Sequence, residues 1–167
     1  MMMKRLLTLA AISIASATPG AVHAQLGFSV GAGAGMAGGT ESSLSNGHSG
    51  WIAMGQVTTT AIPFVRAGVE VNHLQNGDIN ASFATAIIQA HVPVTPFFGK
   101  IGIGYGRGDF KDTDPVAKGV AVEIGLGYSI GLPGIPIGVD VFGNALLAHG
   151  SSRSAQMVDV GLAIRLP

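Results

Sequence analysis

The sequence predicts an all-β protein, an eight-stranded antiparallel up-and-down transmembrane β-barrel that follows a cleaved signal peptide. Three observations lead to this fold class. The 167 residues are 47% hydrophobic and only 11% charged, whereas about a quarter of the residues are charged in a typical soluble domain. The chain opens with a secretory pattern. Its other apolar residues lie in alternating stretches, and none forms the run of roughly 20 that a membrane-spanning helix needs.

The N-terminus has the features of a secretory signal. Lys4 and Arg5 precede the apolar residues 6–17, and small residues follow before Ala24. A positive segment, an apolar segment and a small-residue cleavage site are typical of a signal peptide. We expect cleavage after Ala24, with Ala17 as a second candidate. The predicted domains are therefore a signal peptide, residues 1–24, and an outer-membrane β-barrel domain, residues 25–167.

The net charge and the absence of cysteine argue against several classes of protein and of metal site. Removing the two basic residues of the signal from nine leaves seven basic against nine acidic residues, a net charge of −2. That balance is typical of neither a nucleic-acid-binding protein nor a polybasic membrane anchor. The absence of cysteine excludes a disulfide framework and thiolate metal ligands.

The first four predicted strands are residues 25–36, 51–61, 64–73 and 81–92. The first reads QLGFSVGAGAGM, in which apolar residues alternate with glycine, serine and glutamine. The third reads FVRAGVEVNH and alternates equally well. Alternation with period two indicates a strand with one apolar face. The second and fourth are less regular, because apolar residues fall on both of their faces: Ile52, Met54, Ile87 and Ile88.

The last four predicted strands are residues 97–107, 120–130, 137–147 and 158–166. VAVEIGLGYSI (120–130) and VDVGLAIRL (158–166) alternate strictly. Their lengths match the roughly 9–11 residues of a transmembrane β-strand. FFGKIGIGYGR (97–107) and IGVDVFGNALL (137–147) follow the same rule. An open sheet would leave the backbone amides of its two edge strands unpaired in hydrocarbon, at a cost of several kcal/mol for each amide. Closure into a barrel is therefore expected.

The connections alternate between short and long. Prolines mark three short breaks, at Pro63, at 93–96 and at 133–136. Longer polar segments are expected to be loops at 38–50, 74–80, 108–119 and 149–155. Tight periplasmic turns and longer external loops are typical of outer-membrane barrels, so both termini are expected in the periplasm. Six aromatic residues lie at outward positions or near strand ends, as interfacial girdles require: Phe28, Trp51, Phe64, Phe97, Tyr105 and Tyr128.

Gly33, Gly35 and Gly38 form a G-x-G-x-x-G pattern within the first strand. A dinucleotide-binding loop needs a helix directly after these glycines and an acidic residue about 20 positions further on. Here the segment after Gly38 has no helical period. The alternation instead places these glycines on the inner face, where small residues make room for large polar side chains from other strands.

Most charged residues of the strands fall on the predicted inner face. A lipid-facing Arg or Lys near the midplane costs about 2–4 kcal/mol, so we expect these side chains to point inward, pair with one another and fill the lumen. A proton or ion path through them is the alternative. These structural lumen charges are Arg66, Glu70, Lys100, Glu123, Asp140, Asp159 and Arg165.

The sequence predicts no cofactor and no metal. His48, His73 and His149 fall near the outer rim, but on separate segments and without a local ligand spacing, so exposed loop histidines are favoured over a metal site. His149 and Ser151 also suggest a serine esterase, with His149 as base, Ser151 as nucleophile and Asp159 as the nearest carboxylate. This reading rests on one tripeptide, and solvated loop residues are favoured.

With the strands laid out, the chain resembles the small outer-membrane barrels of the OmpA-transmembrane-domain and opacity-protein type, often called porin-family proteins. The resemblance rests on TPFFGKIGIGYGRGDF (95–110), a proline turn followed by a glycine-alternating strand, and on the closing strand VGLAIRLP (160–167). Barrels of this type commonly end in an aromatic residue, whereas this chain ends in Leu166-Pro167. The pair His149 and Ser151 also resembles the His-x-Ser of outer-membrane lipid A deacylases, although Ser152 replaces the asparagine that follows the serine there.

The resemblance implies an outer-membrane location and no single activity. We expect a non-enzymatic, monomeric barrel with a structural or surface-interaction role. Its expected partners are outer-membrane lipid, lipopolysaccharide and the barrel insertion machinery, and not nucleic acid. Two alternatives stay open: the lipid A esterase, and a soluble periplasmic barrel that binds an apolar ligand. In the last case the aliphatic residues would point inward.

Overall fold

The computed structural model describes residues 26–39, 48–110, 113–150 and 153–167. In these ranges eight antiparallel strands close into a single barrel, each pairing with its neighbours in sequence and the first pairing with the last. The strands are β1 (Leu26–Gly39), β2 (His48–Ile62), β3 (Val65–Asn76), β4 (Ile79–His91), β5 (Phe97–Phe110), β6 (Thr113–Gly131), β7 (Gly138–His149) and β8 (Ser154–Leu166). The predicted fold class is confirmed.

No helix in the described ranges is long and apolar enough to cross a membrane. The predicted signal peptide, residues 1–24, lies outside the described residues and stays a prediction.

The two ends of the barrel differ in their connections. β2–β3, β4–β5 and β6–β7 are joined at one end, called here the turn end, by residues 63–64, 92–96 and 132–137. β1 begins and β8 ends at this same end. The opposite end, called here the loop end, carries the other connections.

The loop-end connections are shorter than the sequence predicted. Residues 74–80 were expected to form a loop, but β3 and β4 continue through them to a two-residue turn at Gly77 and Asp78. Residues 108–119 also belong mostly to strands, because β5 ends at Phe110 and β6 begins at Thr113. The prediction failed because polar residues at the end of a strand were interpreted as a loop. Beyond the membrane, paired strands can carry polar side chains on both faces. At 19 residues, β6 is well beyond the roughly 9–11 that cross a membrane.

The strands that alternate clearly point their apolar face outward, whereas β2 and β4 also turn large apolar residues inward. Val122, Ile124, Val160 and Leu162 are 48–63% exposed, whereas Glu123 and Asp159 are buried in the barrel. This arrangement contradicts the alternative of a soluble barrel with an apolar interior ligand site, which required the reverse. The six predicted girdle aromatics are exposed, and Phe97 and Tyr128 stack edge-on with their ring centroids 5.1 Å apart.

Candidate functional site

The barrel interior is built by glycines on some strands and large side chains on their neighbours. A Cβ atom on Gly127 would lie 2.1 Å from the ring of Phe98. A Cβ on Gly161 would similarly lie 2.7 Å from the ring of Phe142. Phe98 and Phe142 are buried. The glycines of the inner face therefore provide space, as expected, although several of the side chains that they accommodate are apolar rather than polar.

The middle of the lumen holds one lysine between two glutamates. Lys100 on β5 forms an ion pair with Glu70 on β3 and lies 2.9 Å from Glu123 Oε1 on β6. The three side chains are almost completely buried. Thr85 donates a hydrogen bond of 2.5 Å to Glu123, and Asn72 donates one of 2.7 Å to Glu70. This group, with Asp159, is called here the central cluster.

The central cluster carries more negative than positive groups. Asp159 on β8 is buried and accepts a 3.0 Å hydrogen bond from Asn144, but it has no ion pair among the described residues. Asp159 Oδ2, Asn72 Oδ1 and Asn144 Oδ1 have no hydrogen-bond partner in the same part of the chain. Burying polar atoms without hydrogen-bond partners costs folding free energy. The ion pairs of Lys100 with Glu70 and Glu123 are the contacts in the cluster that offset this cost.

A second polar group lies at the turn end. Arg165 Nη1 is 3.0 Å from Asp140 Oδ1 and donates a 3.0 Å hydrogen bond to Ser129 Oγ. Arg66 on β3 also points into the barrel and is half-buried. No described residue gives Arg66 a hydrogen bond or an ion pair. Within the part of the chain that the structure describes, the expected pairing of the lumen charges is incomplete, since Arg66 and Asp159 form no ion pair there.

Sequence reasoning missed an apolar layer at the loop end of the lumen. Its large members come from β2, β3, β4, β7 and β8, and each is at most 3% exposed: Ile52, Leu74, Phe83, Leu146 and Met157. The signal was present in the irregular alternation of the second strand, where Ile52 and Met54 point inward and Trp51 points outward. The apolar layer was missed because the inner face was assumed to be polar along the whole length of each strand.

The structure places the other candidate residues as follows. Ser151 and Ser152 lie outside the described residues, so the geometry of the His149 and Ser151 pair is not defined. His73 Nδ1 is 2.8 Å from Ser82 Oγ, and its ring meets Trp51 edge-on on the outer face. Within the described ranges, no three His, Asp or Glu side chains are grouped so that they can hold a metal ion.

Comparison with known proteins gives a match in structure and not in sequence. No protein-family model matches the chain, and no curated protein is similar to it in sequence. Among solved structures, the barrel is similar to Neisserial surface protein A, with a TM-score of 0.66 and 12% identity over 84% of this chain and 96% of that one.

Two further solved structures show lower similarity. They are Ail, the attachment invasion locus protein of Yersinia pestis (TM-score 0.48, 13% identity, 87% and 100% of the two chains), and the N-terminal β-barrel domain of Pseudomonas aeruginosa OprF (0.44, 11%, 83% and 97%). The match to Neisserial surface protein A confirms, at the level of fold, the resemblance inferred from the sequence. This fold, together with the apolar exterior, places the chain in an outer membrane.

Proposed function

We propose that this outer-membrane barrel has a lumen filled by its own side chains, and that its role is structural or lies in interactions at the cell surface. The observation that supports the proposal most directly is the ion-paired Lys100, which is buried between Glu70 and Glu123. These residues come from β3, β5 and β6, so the buried lysine joins side chains of three strands inside the barrel.

The neighbouring layers add to this obstruction. Phe98 and Phe142 are buried toward the turn end of the central cluster, and the apolar layer follows toward the loop end. An ion that entered would exchange its water shell for apolar side chains, and an unpaired charge in such surroundings is costly. An eight-stranded barrel is just wide enough for its side chains to fill it. The geometry thus favours a closed barrel over an ion path.

Electrical recording in planar lipid bilayers tests the closed lumen. We expect the refolded full-length protein to insert without conductance steps. The double variant Phe98→Ala with Phe142→Ala, which empties part of the lumen, should raise the ion current. The control variant is Phe97→Ala with Val141→Ala, whose side chains are adjacent in sequence but exposed on the outer face.

Stable conductance steps from the unaltered protein would contradict the proposal and favour the ion path. Equal currents from the inward and outward double variants would show that the two buried rings do not obstruct the lumen. Insertion is checked in each case by the shift in gel mobility that a folded barrel shows when it is not heated.

A further inference from the structure

A small cavity opens at the turn end of the barrel, where β8 closes against β1 and β7. It has a volume of about 200 Å³. Its polar lining includes Arg66, Arg165, Thr58 and Thr60, and its other described lining residues are glycines, prolines and aliphatic residues. Asp140 is absent from the lining, and so is every other acidic side chain of the described residues. The charged side chains that line the cavity are therefore all basic.

Arg66 is half-buried and has no partner of opposite charge in contact with it among the described residues. It enters the barrel from β3, opposite Thr60 on β2 and Gln89 on β4. Among the described residues it forms no hydrogen bond and no ion pair. Arg165 and Asp140 act on it only through longer-range electrostatics. A half-buried guanidinium with five unused donors is a group that an anion would stabilise.

Arg165 is held in position by groups that leave part of it free. Its contacts with Asp140 and Ser129 all use Nη1. Gly138 lies opposite Arg165 on β7, and a Cβ atom at Gly138 would stand 2.5 Å from Arg165 Nη2. The absence of a side chain at Gly138 thus gives the guanidinium its room. Arg165 lines the cavity, and its Nη2 makes no hydrogen bond to a described residue.

The charges at this end do not balance. Two arginines face one carboxylate, and His91 lies within electrostatic range of all three. The central cluster has the opposite excess, with one lysine and three carboxylates. Because Asp140 is paired with Arg165, no acidic side chain of the described residues neutralises Arg66 by direct contact.

We propose that the cavity is a binding site for a small oxyanion, a phosphate or a carboxylate group, held by Arg66 and by the free side of Arg165. Guanidinium groups bind such anions through paired N–H donors. The hydroxyls of Thr58 and Thr60 line the same space and supply further donors. The volume admits an anionic group and not a large organic ligand.

The test is a titration of the full barrel in dodecyl maltoside, a detergent without phosphate or carboxylate groups. Sodium phosphate, sodium acetate and lysophosphatidylglycerol are added separately at constant ionic strength, with sodium chloride as reference. The side-chain Nε–Hε signal of Arg66 in a ¹⁵N-labelled sample reports binding, and the signal is assigned with Arg66→Gln. Melting midpoints are recorded in parallel, since a ligand that binds the folded state raises them.

We expect at least one oxyanion to move the Arg66 signal and raise the midpoint, and chloride to do neither. Arg66→Gln should weaken binding by about tenfold or more, as the loss of a hydrogen bond to a charged group implies. Arg107→Gln is the matched control, because Arg107 lies exposed at the loop end beside Asp109. Gly138→Ala keeps every charge but displaces Arg165, and it should weaken binding as well.

The three additives identify the source of the ligand. A response to inorganic phosphate or acetate identifies a free anion, and a response to the phospholipid alone identifies a headgroup; each supports the site. The proposal is overturned if no additive differs from chloride, or if Arg66→Gln binds as tightly as Arg107→Gln. Should Arg66→Gln fail to fold, Arg66→Lys assigns the signal instead, and the Arg66 signal of the unaltered protein then decides between these outcomes.

Discussion

At the scale of single residues, the interior depends on matching a glycine with a large neighbour. Gly127 faces Phe98, and Gly161 faces Phe142. The alternation of the sequence indicated that these glycines face inward. It did not identify their partners, because period two fixes the face of a residue but not the stagger between strands. The pairs became visible only with the register, in which Gly127 lies beside Phe98 across β5 and β6.

The same limit applies to the charged residues. Their inward direction followed from the cost of a charge in lipid, and the structure buries Glu70, Lys100 and Glu123 together. That Arg66 is left without an ion pair in the described part of the chain could not be read from the composition. The seven lumen charges, three basic and four acidic, can all pair only if the strands place them at the same level along the barrel axis.

Replacing Lys100 with methionine tests the central cluster at this scale. The change leaves Glu70 and Glu123 buried without their cation, and breaking a buried ion pair on one side costs about 3–5 kcal/mol. We expect a loss of that order in the free energy of unfolding, measured by urea titration of the barrel in lipid vesicles.

Lys118→Met is the matched control for that experiment. Lys118 is exposed on the outer face of β6, and surface substitutions of this kind usually change stability by less than about 0.5 kcal/mol. Converting Glu70 and Glu123 to glutamine in the Lys100→Met background should recover much of the loss, because the two carboxylates that paired with Lys100 would then be replaced by neutral amides. A Lys100→Met barrel as stable as the unaltered one would contradict the role assigned to the pair.

At the scale of elements, all eight strands were predicted, but the inward and outward faces were clear only for the strands with one polar face. β6 and β8 alternate strictly, and both were predicted in the sequence. β2 and β4 contribute inward apolar residues such as Ile52 and Phe83 to the loop-end layer, so their faces were ambiguous. Their outer limits were also underestimated, because pairing between strands persists past the membrane.

The turns form a second class of elements, and they share one pattern. Each described turn-end connection has a proline followed by a residue with positive φ: Phe64 (68°), Val94 (64°) and Gly134 (79°). Thr95 N donates a 3.2 Å hydrogen bond to Val92 O, and Ile135 N donates one of 3.3 Å to Leu132 O. This is the pattern of a type II turn, which favours glycine at the third position. Only Gly134 satisfies that preference.

Val94→Gly is therefore expected to stabilise the barrel. A β-branched residue in the left-handed region is strained by about 1–3 kcal/mol, and Val94 is fully exposed and loses no packing. Glycine also favours the unfolded chain by roughly 0.4–1 kcal/mol, so we expect a net gain of about 1 kcal/mol in the urea unfolding free energy.

The reverse change supplies the control for the turn. Gly134→Val introduces the same strain at φ 79° in the neighbouring connection, and it should destabilise the barrel by about 1–3 kcal/mol. Equal stabilities for Val94→Gly and the unaltered protein would mean that the turn does not hold Val94 in a strained conformation.

At the scale of the whole molecule, the barrel has an apolar exterior and an interior that changes character along its axis. The turn end is basic, the centre is acidic around Lys100, and the loop end is apolar. The exterior was predicted because lipid-facing positions impose one requirement on every strand. The interior layers were not, because each is assembled from residues far apart in sequence, such as Glu70 on β3 and Asp159 on β8.

The lipid-facing exterior makes a prediction that depends on depth. Ile124 and Ile130 lie on the outer face of β6, with Ile124 near the middle of the barrel wall and Ile130 next to the turn end. An outward arginine costs about 2–4 kcal/mol at the bilayer midplane and about 0–1 kcal/mol near the interface. In vesicles, Ile124→Arg should therefore lower the unfolding free energy by about 2–4 kcal/mol, and Ile130→Arg should lower it far less. Equal effects at the two depths would be incompatible with a membrane around this face, because only a uniform solvent such as water offers an arginine the same surroundings at both positions.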